Sequence, residues 1–455
     1  MAAEQGTKFV DQNDAVLDGV VVVGAGVAGS AAARVLLAEG ATVRVSDSGR
    51  ATAGAADLRA EGIEVLEGGH DPDHLAGATM VVASPGVPPH AEILMWANDR
   101  KLPVLGEMEL GARLARVPYL AVTGTNGKTT TTGMLAACLR SAGLDAVACG
   151  NIGRPFPTAA RERHDALVVE VSSFQLATQT SFHPRVSVLL NLAPDHLDWH
   201  GSFDAYVAAK SRIFALQGAA DIHVGNLDDE ASAVISRSAA GEVRWFTIRE
   251  PAEDGVGVRD GRLVAGWSGA DLGALALDTP AMRADAAAAA TAAHAFAVGD
   301  RAIAEAIGTF APEPHRGETV AAVDGVRFVD NSKATNPHAA IAAVGDAEGV
   351  VLIAGGDAKG VDLTPLGSIA SHLDGVVAIG ASAGNVRAVF EGRVPVRDAG
   401  SIEEATRVAF RMASERGSVL LAPACASWDM FRDYAERGDR FAAAARVLEK
   451  EDART

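Results

Sequence analysis

One stretch constrains the fold more than any other. An apolar run, Tyr119 to Val122, leads directly into Thr123-Gly124-Thr125-Asn126-Gly127-Lys128-Thr129, and a helical pattern follows from Thr130 to Ala142. A strand, a glycine-rich loop, a Lys-Thr pair and a helix are the parts of a phosphate-binding loop. Backbone N–H groups cradle phosphate oxygens, Lys128 reaches the terminal phosphates, and Thr129 offers its hydroxyl to Mg²⁺. The pattern departs from the strict form, since its first glycine position falls on Val122. Such a loop needs a parallel sheet with the ligand at the carboxyl ends of its strands, so the chain is expected to be α/β.

The residues before this loop form a second unit. A strand, Gly19 to Val23, runs into Gly24-x-Gly26-x-x-Gly29 and a helical run, Ser30 to Glu39. The strand Thr42 to Ser46 then ends at Asp47. This is a βαβ pattern with the dinucleotide fingerprint. The glycines allow close approach to a pyrophosphate at a helix N-terminus. A nicotinamide dinucleotide and a UDP-type diphosphate both satisfy that physics, with Asp47 facing a ribose or base. A further strand, Met80–Ala83, ends in the turn Ser84-Pro85-Gly86, and a boundary is expected near residue 106, before a helix Glu107 to Leu114.

The residues after the loop supply chemistry at strand ends. Ala166–Val169 delivers Glu170, Ser172 and Ser173, and Val186–Leu192 ends at Asp195-His196-Leu197-Asp198-Trp199-His200. Glu170 is placed to meet a phosphate-bound metal, or to make a strand-end salt bridge. The helix Phe203 to Leu216 carries an apolar stripe of Phe203, Tyr206, Val207, Ile213 and Phe214, with Lys210 inside it. An unpaired buried ammonium is costly. Lys210 is therefore expected to pair with an acid, to snorkel, or to lose its proton. A neutral amine can add CO₂ to become a carbamate, an oxygen-rich anion suited to Mg²⁺. Asp260-Gly261 reads as a hairpin turn, and an Ala-rich helix, Met282 to Phe296, closes the segment.

A third segment begins near Pro312. Its strands Val326–Val329, Val350–Ala354, Val376–Ile379 and Val419–Leu421 alternate with helices, which indicates a second doubly wound sheet. Their carboxyl ends carry polar clusters, among them Asn331-Ser332-Lys333-Ala334-Thr335-Asn336 and Ala424-Cys425-Ala426-Ser427.

Composition narrows the function. The 455 residues suggest three domains. A net charge of −18 argues against nucleic acid as a partner. No apolar run reaches the roughly 18 residues that span a bilayer, and Met1 to Asp18 lacks the regions of a signal peptide, so a cytoplasmic protein without a membrane partner is expected. The three cysteines, Cys138, Cys149 and Cys425, have no metal-ligand or disulfide-scaffold spacing. Only seven of 40 basic residues are lysines, and Lys128, Lys210, Lys333 and Lys359 all fall in these motifs. Lysine is a compact charge with a tunable pKa, which arginine is not.

In order along the chain, residues 123–130, Glu170-Val-Ser-Ser-Phe-Gln-Leu, Asp195-His196-Leu-Asp198, Lys210, His315-Arg316, Asn331 to Asn336 and Ala422-Pro-Ala-Cys-Ala-Ser427 resemble the Mur ligases. The last run, followed by Glu436-Arg437-Gly438, is most similar to the branch that adds D-glutamate. The resemblance implies three domains: a Rossmann-like UDP-substrate domain over 1–106, a P-loop ATPase domain over 107–312 and a Rossmann-like amino-acid domain over 313–455. It implies ATP-dependent amide formation between UDP-N-acetylmuramoyl-L-alanine and D-glutamate through an acyl phosphate, by a monomer working on small molecules. By the same resemblance Gly124, Thr125, Asn126, Gly127, Lys128, Thr129, Thr130, Arg316 and Asn331 belong to ATP. Lys128, Glu170, His196 and Lys210 are catalytic. Thr129, Glu170, His196 and a carbamylated Lys210 serve two Mg²⁺ sites. Gly26, Val27, Ala28, Asp47, Gly86, Asn151 and Ser172 match the UDP-substrate region, and Lys333, Thr335, Lys359, Ser427 and Tyr434 the D-glutamate region.

Two departures fall at the nucleoside end of the ATP site. The family's His-Asn-x-x-Asn pattern is replaced by Pro280-Ala-Met282-Arg283-Ala-Asp285-Ala286, and position 331 is Asn where an Asp is expected, although Asp330 precedes it. Altered nucleotide affinity or selectivity is the expectation. The rivals are a ligase for another amino acid, a folylpolyglutamate synthase, a non-catalytic sensor of the muramoyl peptide and an NAD dehydrogenase. An Asp-Asn-Pro-Arg run, expected of the diaminopimelate enzyme, is absent.

Overall fold

The computed structural model describes residues 18–275 and 279–452. Of the polar N-terminal stretch, only Asp18 falls within them. Three separate sheets organise the chain. The first contains β1 (Val20–Val23), β2 (Val43–Asp47), β3 (Glu64–Glu67), β4 (Met80–Ala83) and β5 (Val104–Gly106), in the order β3-β2-β1-β4-β5, all parallel. Every residue of β1 is a buried valine, as a central strand covered on both faces requires. Strand order reverses between β1 and β4, which opens a crevice beyond their carboxyl ends. The helix Val27–Ala38 packs closely there because Gly29 has no Cβ; one would strike the Gly24 carbonyl oxygen.

The second sheet is built from β6 (Tyr119–Thr123), β7 (Ala146–Gly150), β8 (Ala166–Glu170), β9 (Val186–Leu189), β10 (Ile222–Asn226), β11 (Glu242–Phe246), β12 (Val256–Arg259), β13 (Arg262–Ala265) and β14 (Asp271–Gly273). Its order is β14-β13-β12-β11-β10-β9-β6-β8-β7, parallel except for the antiparallel ribbon β12 to β14. The expected turn joins β12 to β13, with Asp260 and Gly261 at φ 51° and 74° as a two-residue hairpin turn demands. The helix Pro280–Ala295 and the P-loop helix Lys128–Ser141 cover one face, with six consecutive core residues from Ala286 to Thr291 fully buried.

The third sheet holds β15 (Glu318–Val323), β16 (Val326–Asp330), β17 (Val350–Gly355), β18 (Leu373–Ile379), β19 (Val396–Asp398) and β20 (Ser418–Leu421), in the order β15-β16-β20-β17-β18-β19. The sequence pattern shows four of these six strands. The two it misses are the edges: β15 pairs antiparallel with β16, and β19 has three residues that are half-buried or exposed. Edge strands lack the continuous apolar run by which a central strand is recognised.

Two element boundaries also differ from expectation. The helix expected over Phe203 to Leu216 ends at Ser211 and continues only as a 3₁₀ turn, Arg212–Phe214. The strand expected to reach Leu192 stops at Leu189. An apolar cluster runs without interruption from Val20 and Leu36 through Met108, Leu110 and Leu114 to Phe156 and Phe182, so the helix Glu107–Leu114 packs against both of the first two sheets.

Candidate functional site

The phosphate loop leaves β6 and enters the helix at Lys128. Gly127 sits at φ 85° directly beneath the Asp285 carboxyl, where any Cβ would collide. Lys128 Nζ donates to the Gly124 and Thr125 carbonyl oxygens at 3.0 and 2.9 Å. Burial lowers its pKa, while Glu170 and Asp195 oppose that and Lys333 and Arg316 add to it. Asn126, Gly127, Lys128 and Thr129 border a cavity of about 190 Å³, which Arg316 and Lys333 close from the third domain. Thr125 is held behind the loop by Tyr206 Oη at 2.8 Å, and Thr130 is buried on the far side.

Three groups on this wall are unusual, two of them, Glu170 and Lys210, in their burial and the third, His196, in its backbone. Glu170, at the end of β8, is 2% exposed; its Oε1 accepts from Asn151 Nδ2 at 2.8 Å, and its Oε2 has no partner. A salt bridge is therefore not what holds it. Lys210 is equally buried and donates to the Gly124 carbonyl at 2.7 Å and, longer, to Thr123 Oγ1 at 3.4 Å, with the Tyr206 ring at 4.9 Å. Burial and then Lys128 press its pKa far down. Its hydrogen-bond partners are a carbonyl and a hydroxyl, and among the described residues no carboxylate contacts it directly. His196 adopts φ 52°, a left-handed conformation that costs a side-chain residue about 1–2 kcal/mol. Its ring meets Phe174 edge-on at 4.8 Å, and burial pushes its pKa down to about 4 against the pull of Asp195. The imidazole is thus neutral at physiological pH. The orphaned carboxylate oxygen of Glu170 beside the phosphate loop is a ligand of the kind a hard divalent cation takes, with His196 and Lys210 on the same wall.

Across from this wall lies the third domain, and a cavity of about 460 Å³ separates the two. Thr335, Ser427 and Tyr434 line it together with Lys333 and Lys359. The Lys333 ammonium stands 3.7 Å over the Tyr434 ring, and burial followed by Arg316 lowers its pKa to about 8. Lys359 donates to Asp195 Oδ1 at 2.9 Å. Asn336 donates to Asn126 Oδ1 at 3.0 Å and to Asp195 Oδ2 at 3.3 Å. The acidic strand-end residue Asp195 thus ties the two domains together, a role that the six-residue polar run signalled only as a functional loop. Trp428, 69% exposed on the cavity rim, and Phe174 carried no sequence signal as site residues.

A slot of about 170 Å³ opens on the other side of the P-loop, bounded by Met282, Asp285, Arg316, Asn331, Ala339 and Leu420. Asp330 does not take the place of the expected Asp at position 331. It is fully buried, accepting from His315 Nδ1 at 2.7 Å and from the Ser332 N–H at 2.9 Å.

The first domain meets the second around a cavity of about 260 Å³ lined by Val27, Ala28, Asn151 and Glu107. Gly26 caps the helix behind it, and Gly86 lies exposed in the turn after β4. Ser172 is engaged in a capping box with Gln175. The Asp47 carboxylate accepts from the Ala25 N–H at 2.6 Å and the Gly49 N–H at 2.7 Å, one donor on each oxygen, so it fixes the glycine turn at the end of β2. Glu107 has one oxygen on Gln175 Nε2 at 3.2 Å and the other unpartnered; burial raises its pKa to about 7.

Three sheets around two inter-domain cavities and one P-loop define an ATP-using ligase architecture, and comparison with known proteins agrees. Profiles for the Mur ligase MurD-like N-terminal domain, the Mur ligase middle domain and the Mur ligase glutamate ligase domain match residues 18–106, 122–262 and 315–425. The chain belongs to the Mur ligase family. A UDP-N-acetylmuramoylalanine–D-glutamate ligase of Frankia casuarinae is 46% identical, covering 94% of each chain, and one of Pelotomaculum thermopropionicum is 40% identical, covering 93% of this chain and 96% of its own. In fold, it is similar to a UDP-N-acetylmuramate–alanine ligase of Thermotoga maritima, with a TM-score of 0.62 at 18% identity over 94% of this chain and 99% of the other.

Proposed function

We infer that the chain joins D-glutamate to UDP-N-acetylmuramoyl-L-alanine at the expense of ATP, in peptidoglycan precursor synthesis. The observation that carries this reading is the convergence of a P-loop cavity, with Lys128 and Lys333 on its walls, and a larger cavity between the second and third domains that Lys333 and Lys359 line, in a chain 46% identical to a ligase of that name.

The reaction has two steps. The muramoyl-alanine carboxylate attacks the γ-phosphorus, giving an acyl phosphate and ADP. The D-glutamate amine then adds to the acyl carbon, loses a proton and expels phosphate as the amide forms. Both steps crowd negative charge, so catalysis is positioning and charge neutralisation. In this reading Lys128 and Arg316 hold the transferring phosphate between them, with Gly124, Thr125, Asn126, Gly127, Thr129, Thr130 and Asn331 completing the ATP site. Asn151 and Ser172, with Gly26, Val27, Ala28, Asp47 and Gly86, align the UDP substrate. Lys333, Thr335, Lys359, Ser427 and Tyr434 receive D-glutamate, whose carboxylates suit the two lysines. The domain bounds we assign are 1–106, 107–312 and 313–455.

Thr129, Glu170, His196 and Lys210, the last as its carbamate, would hold two Mg²⁺ ions, which supply charge neutralisation at the phosphates. The unpartnered Glu170 oxygen and the burial of Lys210, which presses its pKa down, support this assignment. We place the enzyme in the cytoplasm, as a monomer; among the described residues no helix is long and apolar enough to cross a membrane.

The test is phosphate release with Mg²⁺, ATP, the muramoyl substrate and D-glutamate, with each omitted in turn and the product weighed. Release that needs all four, with the mass gain of one glutamyl residue, is expected. Release with L-glutamate or meso-diaminopimelate instead would reassign the amino acid. No turnover while the UDP substrate still binds would favour the sensor reading.

A further inference from the structure

A cluster of side-chain amides joins the phosphate loop to the third domain, and the chemistry derived above does not use it. Each polar group of Asn126 has a protein partner. Its N–H donates to Asn191 Oδ1 at 2.9 Å, and its carbonyl oxygen accepts from Asn191 Nδ2 at 3.2 Å. Its side chain meets the third domain. Nδ2 donates to His338 Nδ1 at 2.9 Å and to Asn336 Oδ1 at 3.3 Å, and Oδ1 accepts from Asn336 Nδ2 at 3.0 Å. Asn191 follows β9, and its own carbonyl oxygen takes the Thr125 N–H at 2.9 Å. Asn336 and His338 open the helix Pro337–Val344, which Asn336 caps by accepting from the Ala339 N–H at 2.9 Å.

Both halves of this arrangement have consequences. A side-chain amide that pairs with the N–H and the C=O of one residue acts like a rung of sheet, so Asn191 holds the Asn126 backbone in register with β9. The next residues are Gly127, at φ 85°, and Lys128, so a pull on the Asn126 side chain is passed to the backbone that cradles phosphate. On the opposite side, Asn336 and His338 share a connection with Lys333, which closes the phosphate cavity together with Arg316. The contact on Asn126 therefore sets the spacing between Lys128 on one wall and the third-domain cations on the other.

We propose that Asn126 is the joint through which the docked third domain sets the phosphate loop, and that His338 is a positioning residue for phosphoryl transfer. Transfer depends on fixed charges placed around the moving group. With the joint made, Lys128, Arg316 and Lys333 surround the γ-phosphate at fixed distances. With it broken, the nucleotide still binds the loop, but the third-domain cations lose their register. His338 is the residue through which to probe this. Asn336 also caps its helix and donates to Asp195, whereas His338 is exposed, so replacing it leaves the core intact. The proposal rests on the ligase reading, since it presumes that a nucleotide occupies the P-loop.

The experiment is a double-mutant cycle in the full chain, with kcat, KM for ATP and Tm measured for His338→Ala, Asn126→Ala and the two combined. Loss of one neutral hydrogen bond corresponds to a factor of about 2 to 10. His338→Ala is therefore expected to lower kcat about 3- to 10-fold, with KM for ATP changed by less than about twofold and Tm unchanged. Asn126→Ala breaks several contacts and is expected to lower kcat about 10- to 100-fold; adding His338→Ala to it is expected to cost nothing more. His338→Asn sets an amide oxygen where Nδ1 stands and is expected to keep kcat within about twofold of the unaltered chain. Unchanged kcat in His338→Ala, losses that multiply in the double variant, or His338→Asn as poor as His338→Ala would each overturn the proposal. Amide hydrogen exchange over residues 125–129, with a non-hydrolysable ATP analogue bound, reads the joint without turnover. His338→Ala is expected to speed that exchange, and equal exchange in the two proteins overturns the joint. Faster exchange in the variant, with no phosphate released by the unaltered chain on any amino acid, would instead overturn the ligase reading while the joint stands.

Discussion

The two ends of the nucleotide site are built on different principles. At the phosphate end Lys128, Glu170, His196 and Lys210 come from three strand ends and one helix, and each is forced into an uncomfortable state: a half-buried lysine whose pKa is pressed down, an orphaned carboxylate oxygen, a left-handed histidine and a fully buried lysine amine. At the base end the walls are apolar and the charged groups few, with Asp285 alone deeply buried among the carboxyl groups there. The difference teaches where specificity and chemistry reside. Phosphate chemistry needs several fixed charges that a binding ligand completes, and their discomfort marks them. Base recognition needs shape and one or two hydrogen-bonding groups, which can change without disturbing the reaction.

The comparison breaks most sharply at Lys128. Lys128→Met is expected to lower kcat by about 100- to 1,000-fold through loss of charge at the transferring phosphate. A loss confined to KM would make the lysine a ground-state anchor only. Next in size, Lys210→Met is expected to reduce kcat about 100-fold while stability changes by no more than about 1 kcal/mol, because the buried amine has only a carbonyl and a hydroxyl to lose. Calorimetry separates the two effects; a collapse of Tm alongside activity would make Lys210 structural.

The domain latch gives a smaller effect. Removing a charge-assisted contact costs about 1.5–3 kcal/mol, so Lys359→Met is expected to raise KM for D-glutamate about 10- to 100-fold with less change in kcat. An unchanged KM would confine Lys359 to its Asp195 contact. The smallest effect is on stability. Glu107 has its pKa raised to about 7 from an ordinary value of 4.5. The folded state then holds a proton that the unfolded chain releases, so Glu107 makes stability fall as pH rises from about 4.5 to about 7, and no further above that. The total is up to about 3 kcal/mol. Thermal unfolding across that range should show a shallower fall in Glu107→Gln, and an identical slope would mean that the carboxyl is ionised throughout.

The same contrast explains what was legible in the sequence. β1 and β6 are apolar runs, and the glycines that follow both, with Lys128 after β6, announce phosphate chemistry before any fold is known. Lys210 stood out as a charge within an apolar stripe, and its burial followed. The base end was marked only by the resemblance, through the departures at Pro280 to Ala286 and Asn331, and not by any local pattern. Met282 and Asp285 sit in an Ala-rich helix where local pattern says only that the helix is buried, and their meeting with Asn331 across two domains depends on long-range packing. Asp47 shows a second role that spacing did not reveal: a strand-end acid whose oxygens also hold the glycine turn. Asp195 gained its weight only when the third domain supplied Lys359 and Asn336.

The central claim is that a carboxylate is activated by phosphoryl transfer at the Lys128 end before the amine attacks. It is tested most directly by labelling the muramoyl-alanine carboxylate with ¹⁸O and following the label through one turnover with D-glutamate. An acyl phosphate requires one carboxylate oxygen to leave with the phosphate, so one ¹⁸O should appear in each inorganic phosphate released. Unlabelled phosphate accompanying amide formation would contradict the account.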